Sequence, residues 1–463
     1  MPGKKAHPLT TLTALSPLDG RYRKDIEELS QYASEYSLIR IRLGLEAQYL
    51  IALSKEGIVR ELTDDETQQL TNMGTNLSLS EAEKVKQLEE KTKHDVKAME
   101  MVFRDFVKNT SLSDVTEMVH FGLTSEDVNN LSYRLMLKRA TEHAIIPVLK
   151  NIQNLLLKFS REYKATPMLA RTHGQPAVPT TLGKEIAVFA SRLGKELAQL
   201  QDAKLTGKLS GAVGNFNALF LAYPDTNWPR FSEDFVISLG LTPNLLTTQI
   251  NTSEDIISYL QIYQRIHGIL LDLDQDMWRY ISDNWFVQEV KKEEVGSSTM
   301  PQKVNPIRFE NSEGNLGLAN SLIEYMIRKL PVSRLQRDLS DSTVLRNIGS
   351  ILGYALLAYK NTYDGLTRVK PNIEQIKEDL NKDWSILAEA VQTLLRKEGV
   401  EDPYSLIKSL TRGEHIGKAK WQEWVGKLPV ADKVKQTLRN LTPETYIGLA
   451  EKLVEENLED MQK

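Results

Sequence analysis

The chain has 463 residues, of which 41% are hydrophobic and 26% charged, and its net charge is −4 at pH 7. This length exceeds a single compact core, so two or three domains are expected, and the mild charge argues against nucleic acid as a partner. There are no cysteines, which excludes disulfides, thiolate metal sites and a cysteine nucleophile and fits a reducing cytoplasm.

No segment of the sequence has the pattern of a signal peptide or a membrane span. The N-terminal residues are charged but are followed by no apolar stretch, unlike a secretory signal. The most apolar run, residues 348–359, is far shorter than the about 20 residues that span a bilayer. We therefore expect a cytoplasmic protein with no membrane partner.

Helical periodicity of the apolar residues runs along most of the chain. The pattern predicts helices over residues 22–53, 64–77 and 81–109, then longer ones over 125–163, 180–204, 253–286, 306–330 and 342–367. Segments punctuated by Gly and Pro separate the long helices, at 165–179, 207–217, 224–230, 242–252 and 287–305. Because no strand-rich stretch stands out, the expected class is all-α.

The predicted helices form three groups, which we interpret as three helical domains. These are an N-terminal domain over residues 1–118, a central bundle of long helices over 119–367, and a C-terminal domain of shorter helices over 368–463. The helix predicted over 253–286 has two apolar stripes and would be about 50 Å long. We expect an oligomeric bundle to cover it, with a monomer of two helix layers as the alternative.

The stretch Gly-Ser-Ser-Thr-Met-Pro-Gln-Lys-Val-Asn-Pro, which ends at Pro306, combines several groups that suit a carboxylate site. It begins as a loop that carries the hydroxyls of Ser297 and Ser298. Asn305 is a favoured N-cap, and Pro306 fits the first position of the helix that follows. The free amides and positive dipole end of that helix point back toward Lys303. The segment therefore indicates a carboxylate site with a reactive group beside it.

Three of the seven histidines lie in a context that favours catalysis. His94, His120 and His173 fall in irregular or boundary segments beside Thr, Asp, Gly or Gln. His143 and His267 lie inside predicted helices and are expected to be structural. No histidine pair has metal-ligand spacing, and neither the dinucleotide nor the P-loop glycine pattern occurs. We therefore expect no metal and no cofactor.

The stretch that ends at Pro306 resembles the signature loop of the fumarase/aspartase superfamily of lyases. Further runs extend the resemblance over essentially the whole chain and narrow it to the adenylosuccinate lyases in their longer bacterial form. Fumarases and argininosuccinate lyases share the signature loop but lack the runs that begin at Lys93 and Arg171. The runs are Lys93-His-Asp-Val-Lys-Ala98, His120-Phe-Gly-Leu-Thr-Ser-Glu-Asp127, Arg171-Thr-His-Gly-Gln-Pro176, Lys208-Leu-Ser-Gly-Ala-Val-Gly-Asn215 and Arg337-Asp-Leu-Ser-Asp-Ser-Thr-Val-Leu-Arg346.

The resemblance implies a β-elimination that releases fumarate from adenylosuccinate and leaves AMP. It also implies the same reaction on the succinylated aminoimidazole carboxamide ribotide one stage earlier in purine synthesis. A base must remove a proton from a carbon next to a carboxylate, so the doubly negative intermediate needs cations and N–H donors around it. The leaving purine nitrogen is a poor anion, so a general acid must protonate it.

The resemblance also assigns the catalytic groups. Ser297 matches the base, His173 matches the acid, and Lys303 matches the cation that stabilises the intermediate. Glu310 matches the carboxylate that orients the acid histidine. From the sequence alone, Glu310 is equally well explained as a first-turn glutamate favoured by the helix dipole.

The remaining matched residues flank or bind the substrate. Thr124 and Ser125, at a predicted helix N-terminus, suit a succinyl carboxylate. The arginines suit a 5′-phosphate. The two histidines that flank the nucleotide match His94 and His120. The binding residues are Arg21, Tyr22, Lys93, Asp95, Thr124, Ser125, Gln249, Ser298, Asn305, Arg337, Ser342 and Arg346.

Two other interpretations of the sequence stay open. One is a sister lyase that forms fumarate from another substrate, and the other is a non-catalytic helical oligomer that retains the fold. In the family, three subunits contribute to each site at the corners of a tetramer, so a homotetramer with shared active sites is implied. Movement of the 287–305 loop on ligand binding is a further expectation.

Overall fold

The computed structural model describes residues 7–289, 300, 302–411 and 416–460. Helices dominate these ranges, which confirms the all-α class. The helices are α1 Ser30–Ala33, α2 Glu35–Lys55, α3 Asp64–Thr75, α4 Leu79–Thr92, α5 Asp95–Lys108, α6 Ser125–Ala140, α7 Ile146–Glu162, α8 Leu182–Asp202, α9 Asn217–Ala222, α10 Trp228–Ser238, α11 Glu254–Ser282, α12 Ile307–Lys329, α13 Ser340–Leu345, α14 Ile348–Thr367, α15 Ile373–Asn381, α16 Ala388–Lys397, α17 Pro403–Thr411, α18 Lys418–Lys427, α19 Asp432–Asn440 and α20 Ala450–Asp460. None of these helices is both long and apolar enough to cross a membrane.

Short elements complete the described secondary structure. A π-helical turn, Thr141–Ile145, joins α6 to α7. The 3₁₀ turns are Arg23–Asp25, Glu27–Leu29, Ser113–Met118 and Trp384–Leu387. The strands, which pair in sequence order, are β1 Pro167–Thr172, β2 Gln175–Thr181, β3 Thr206–Gly207, β4 Thr242–Pro243, β5 Phe286–Gln288 and β6 Val369–Pro371.

Two of the predicted helices are interrupted by residues that cap a new helix. The helix predicted over 22–53 breaks at Ser34, whose hydroxyl accepts a hydrogen bond from the Ser37 amide at 3.1 Å and so begins α2. The helix predicted over 81–109 breaks between α4 and α5, where Lys93 has a φ of +56° and His94 caps α5. In both places a capping side chain starts a new helix, although the apolar pattern of the sequence continues without a break.

The prediction of an irregular segment over 165–179 is wrong, because β1 and β2 form an antiparallel hairpin there. Its two-residue turn consists of His173 and Gly174, with φ values of +54° and +73°. Two central residues with positive φ are what a type I′ turn requires, and Asn-Gly is its usual signal. This turn has His-Gly in place of Asn-Gly, and Pro176 and Pro179 are unusual inside a strand such as β2. For these two reasons the sequence does not predict the hairpin.

Both apolar stripes of α11 are buried within the single chain. Leu260 and Leu270 on the first stripe and Ile266 and Leu273 on the second are all fully buried. Burial of these two stripes therefore does not by itself require an oligomer, and the oligomeric bundle stays a prediction. An oligomer has to be argued from other surfaces.

The chain divides into two compact units. Unit 1 comprises Met1–Leu149, Leu197–Gly268 and Gly314–Lys360. Within it α2 and α3 approach so closely that a Cβ on Gly74 would lie 2.4 Å from the Cα of Gly44. Larger side chains at either position would push the two helices apart.

Unit 2 comprises Lys150–Glu196, Ile269–Glu313 and Asn361–Lys463. It contains a hydrophobic core built by helices after α15, formed by Trp384, Leu387, Val391, Leu395, Ile407, Ile416, Trp421, Val425, Leu428, Val434 and Leu438. The division of the chain into three domains, with boundaries at 118/119 and 367/368, stays a prediction.

Candidate active site

The helix α6 begins at Ser125, where the sequence predicts a helix start. Thr124 is the N-cap, and its amide donates to Asp127 Oδ2 at 2.8 Å. Ser125 is the first residue of the helix. Thr124 and Ser125 therefore lie where free amides and the positive dipole end of a helix favour a carboxylate.

A buried ion pair attaches the loop over residues 208–215 to this helix start. Asp127 Oδ1 accepts from Lys208 Nζ at 2.8 Å and from the amides of Ser210 and Gly211 at 2.9 and 3.2 Å. Both charged side chains are 0% exposed. The sequence contains the run that begins at Lys208, but no local signal in it assigns that lysine a partner or a role.

Arg337, Ser342 and Gln249 lie around the same helix start. Arg337 Nη2 donates to Ser342 Oγ at 3.0 Å and lies 3.2 Å from Glu126 Oε2. Gln249 Nε2 donates to the carbonyl of Ala212, in the loop that Asp127 holds, at 2.9 Å. The structure thus brings Arg337 and Ser342 beside Glu126 in the first turn of α6, and Gln249 beside the 208–215 loop that Asp127 holds.

Arg346 and Asp95 are paired with each other at a second place in unit 1. Arg346 Nη2 donates to Asp95 Oδ2 at 2.7 Å, and Arg346 Nη1 donates to Glu35 Oε2 at 2.9 Å. Asp95 also pairs with the buried Arg42 at 2.9 Å. Burial alone would raise the pKa of Asp95, but the charge and hydrogen bond of Arg42 outweigh it and lower that pKa. These residues together form a cluster of ionised carboxylates and two guanidinium groups.

Lys93 and His94 form the junction between α4 and α5. His94 Nδ1 accepts a hydrogen bond from the Lys97 amide at 3.2 Å. Because that nitrogen is an acceptor, the neutral ring carries its proton on Nε2. The His94 side chain is 52% exposed, so Nε2 is available to a ligand.

His120 forms a tight pair with the buried carboxylate of Glu46. Its Nδ1 lies 2.5 Å from Glu46 Oε1, and the Glu46 side chain is 0% exposed. Burial alone would lower the pKa of His120, but the hydrogen bond and charge of Glu46 outweigh it and raise that pKa. The pair therefore favours a charged imidazolium at this position.

Replacing Glu46 by glutamine is expected to destabilise the protein in a pH-dependent way. Because the pKa of His120 is raised in the folded state, the contribution of the pair to stability is fully present below about pH 6.5. It is lost as the pH rises through the folded-state pKa. The unfolding temperatures of wild type and Glu46→Gln should differ most at about pH 6 and converge toward about pH 9. A difference that does not change with pH would contradict this assignment.

Three predicted site residues have strained backbones. Lys93, His120 and His173 have φ values of +56°, +60° and +54°, a region that non-glycine residues rarely occupy. Across the part of the chain that is described, seven non-glycine residues have positive φ. Such strain is concentrated at functional sites, where the surrounding structure enforces it.

In unit 2, His173 lies at the exposed tip of the β1–β2 hairpin. Residues 171–176 are all exposed in the single chain. Arg171 Nη1 donates to the Gly174 carbonyl at 3.2 Å, and the Arg171 guanidinium lies 5.5 Å from the centroid of the Trp285 ring. The hairpin therefore presents the imidazole outward.

The helix after the signature loop begins at Ile307, one residue later than predicted. The carbonyl of Pro306 accepts from the amides of Phe309 and Glu310 at 3.1 and 3.3 Å. Glu310 Oε1 accepts from Trp278 Nε1 at 3.2 Å, so its observed partner is an indole. The pairing of Glu310 with the acid histidine stays a prediction.

The signature loop itself is described only at its ends. Ser297 and Ser298 lie outside the described residues. Lys303 is exposed and its amide donates to the Met300 carbonyl at 3.0 Å, and Asn305 follows it before α12. Gln288 Nε2, at the end of β5, donates to the Val304 carbonyl at 2.9 Å, which ties the two ends of the loop together.

Arg21 and Tyr22 lie just before the first 3₁₀ turn of unit 1. The Arg21 guanidinium lies 5.8 Å from the centroid of the Tyr22 ring, within range of a cation–π contact. Their predicted role at the nucleotide stays a prediction.

Comparisons with known proteins assign the family. A sequence model of the family described as lyase matches residues 20–319, and one described as adenylosuccinate lyase C-terminal matches residues 333–447. The chain is 45% identical to the adenylosuccinate lyase of Haemophilus influenzae over 96% of this chain and 99% of that one. It is 42% identical to that of Escherichia coli K12 over 97% and 99%, and 44% identical to that of Dictyostelium discoideum over 95% and 97%.

Solved structures share the fold at low sequence identity. A fumarate lyase from Mesorhizobium sp. BNC1 has a TM-score of 0.75 and 18% identity over 94% of this chain and 97% of that one. The 3-carboxy-cis,cis-muconate lactonizing enzyme from Pseudomonas putida has a TM-score of 0.76 and 18% identity over 95% and 97%. The fold, the signature loop and the family matches define a lyase of the fumarase/aspartase superfamily. Within that superfamily, the chain belongs to the adenylosuccinate lyase family.

Proposed function

We propose that this chain catalyses the β-elimination of fumarate from adenylosuccinate, giving AMP, and the same elimination from succinylaminoimidazole carboxamide ribotide. The observation that carries the proposal is the cluster at the start of α6. There a capped helix N-terminus with Thr124 and Ser125, suited to a carboxylate, lies beside the guanidinium of Arg337 and the side chains of Ser342 and Gln249. A nucleotide that carries a dicarboxylate needs both kinds of group.

In the proposed mechanism, Ser297 removes the proton next to the succinyl carboxylate and His173 protonates the departing purine nitrogen. Lys303 and the N-terminus of α12 stabilise the negative charge that develops on the carboxylate, because fixed cations and N–H donors lower the barrier most where charge appears. Ser298 and Asn305 bind the same carboxylate. Glu310 orients the acid histidine and so keeps its proton directed at the leaving nitrogen.

The nucleotide is proposed to lie between the groups of unit 1 described above. His94 and His120 flank it, the first with an available Nε2 and the second as an imidazolium held by Glu46. Arg21, Tyr22, Lys93, Asp95 and Arg346 complete the binding residues, with arginine forks suited to a phosphate. Neither a metal nor an organic cofactor takes part in this scheme.

We further propose a cytoplasmic homotetramer with shared active sites. The exposed tip of the hairpin supports this, since a catalytic imidazole needs surroundings that exclude water. Gly268 on α11 and Gly314 and Gly317 on α12 also support it, since a Cβ on any of them would meet nothing within 4 Å in the single chain. Glycine weakens a helix by about 1 kcal/mol, and such positions allow another helix to approach closely. A solution mass of about four times the 52.6 kDa of one chain is expected, and a monomeric mass would contradict it.

The proposed activity is tested by mixing the purified protein with adenylosuccinate and following the ultraviolet absorbance, with AMP and fumarate identified as products. We expect turnover of adenylosuccinate and none of argininosuccinate or malate. Turnover of either of those without turnover of adenylosuccinate would favour the sister lyase. Absence of activity on all three would favour the non-catalytic oligomer.

A further inference from the structure

Glu126 is a buried carboxyl group that the mechanism above does not use. It is the second residue of α6, directly after Ser125, and its side chain is 6% exposed. The capped first turn of α6, held by Asp127, fixes its position. A carboxyl group buried at such a place needs a partner, because its desolvation is otherwise uncompensated.

Arg337 is the cation that is available to form an ion pair with this carboxyl group. The described charged groups that act on Glu126 include Arg337, Asp341, Arg134 and Lys208. Arg134 is engaged by both oxygens of Asp255, at 2.7 and 2.8 Å, and Lys208 is engaged by Asp127. Of these three described cations, Arg337 is the remaining one, with its Nη2 at 3.2 Å from Glu126 Oε2.

The guanidinium of Arg337 lies between the carboxylate of Glu126 and the hydroxyl of Ser342. Its Nη2 donates to Ser342 Oγ at 3.0 Å and forms an ion pair with Glu126, whereas its Nε lies 4.0 Å from Asp341 Oδ2, too far for a hydrogen bond. That Nε has no hydrogen-bond partner among the described residues. Of the two carboxyl groups nearby, therefore, only Glu126 lies near hydrogen-bond distance of the guanidinium.

We propose that Glu126 is a positioning residue for the substrate, which holds the Arg337 guanidinium in the orientation that binds the nucleotide. The proposal rests on the proposed function, in which Arg337 contacts the nucleotide. Burial raises the pKa of Glu126 to about 7, so the group is present in both protonation states near neutral pH. Both protonation states keep a carboxyl oxygen 3.2 Å from Nη2, so a glutamine, which keeps an oxygen at the same place, should hold the guanidinium equally well.

The test compares the steady-state kinetics of variants of the full-length protein with adenylosuccinate. Glu126→Ala is expected to raise KM about tenfold with kcat changed by less than about threefold, because a contact used equally in ground and transition states affects KM alone. Glu126→Gln should restore KM to within about threefold of wild type. Asp341→Asn is the matched control, for which we expect less than about a twofold change in KM.

A double-mutant cycle separates this proposal from the proposed function. If Glu126 acts through Arg337, adding Glu126→Ala to Arg337→Met should raise KM no further. An equal rise in both backgrounds, or no rise in Glu126→Ala alone, would overturn the positioning role. An unchanged KM in Arg337→Met would instead remove Arg337 from the nucleotide site. If Glu126→Ala does not fold, Glu126→Asp, which withdraws the carboxylate by one methylene, should raise KM, and an unchanged KM would overturn the proposal.

Discussion

Replacing His173 by asparagine is expected to lower kcat by about 10²–10⁴-fold, the usual contribution of a general acid, without disturbing the fold. Asparagine tolerates the positive φ of +54° at this position. It also turns the hairpin tip into Asn-Gly, the preferred sequence of a type I′ turn. The substitution therefore removes the proton donor and retains the backbone. The measurement is kcat with adenylosuccinate at saturation, together with the unfolding temperature.

A second histidine provides the control for this prediction. His143, which stacks on Tyr32 with ring centroids 5.6 Å apart, has no place in the proposed chemistry. We expect His143→Asn to leave kcat within about twofold of wild type, since it touches no group that reacts. A near-normal kcat in His173→Asn would remove His173 from the role of acid.

The largest loss of stability is expected from replacing Lys208 by methionine. Among the residues that the structure describes, this substitution leaves the buried carboxylate of Asp127 with backbone amides as its only donors. Breaking one side of a buried ion pair costs about 3–5 kcal/mol, since the remaining charge is uncompensated. We expect a loss of that size in the free energy of unfolding, measured with urea. The KM for substrate should rise as well, because the 208–215 loop is attached to the start of α6 through this pair.

An exposed ion pair gives the matched control for Lys208. Arg230 and Asp234 lie 2.9 Å apart on α10, and both side chains are more than half exposed. Arg230→Ala should cost no more than about 1 kcal/mol, because solvent screens such pairs. If Lys208→Met costs as little as this control, the buried pair does not hold the helix start and the loop together.

The sequence predicts the long helices well and the hairpin poorly, for physical reasons. The bounds of α8, α11 and α12 agree with the prediction to within a few residues, because an unbroken apolar period is a strong signal. The sequence does not predict the helix breaks at Ser34 and His94, because a single capping side chain is a weak signal within a strong apolar period. The hairpin that carries His173 was missed because its turn uses His-Gly instead of Asn-Gly.

The motifs of the sequence nominate the candidate site residues, but they do not predict the partners of those residues in the fold. His120 and Glu46 are 74 residues apart, and Lys208 and Asp127 are 81 residues apart. Local periodicity contains no information about such pairs, since the tertiary fold alone brings them together. The same holds for Glu310, whose partner Trp278 lies on another helix.

In the proposed mechanism a hydroxyl and an imidazole act on opposite sides of one C–N bond. A crystal structure of the assembled protein with AMP and fumarate bound tests it most directly. We predict that a His173 imidazole nitrogen lies within about 2.6–3.2 Å of the exocyclic purine nitrogen, with the Ser297 hydroxyl facing fumarate from the other side. Separation of the two residues by more than the length of the bound products, in every pairing of subunits, would contradict the account.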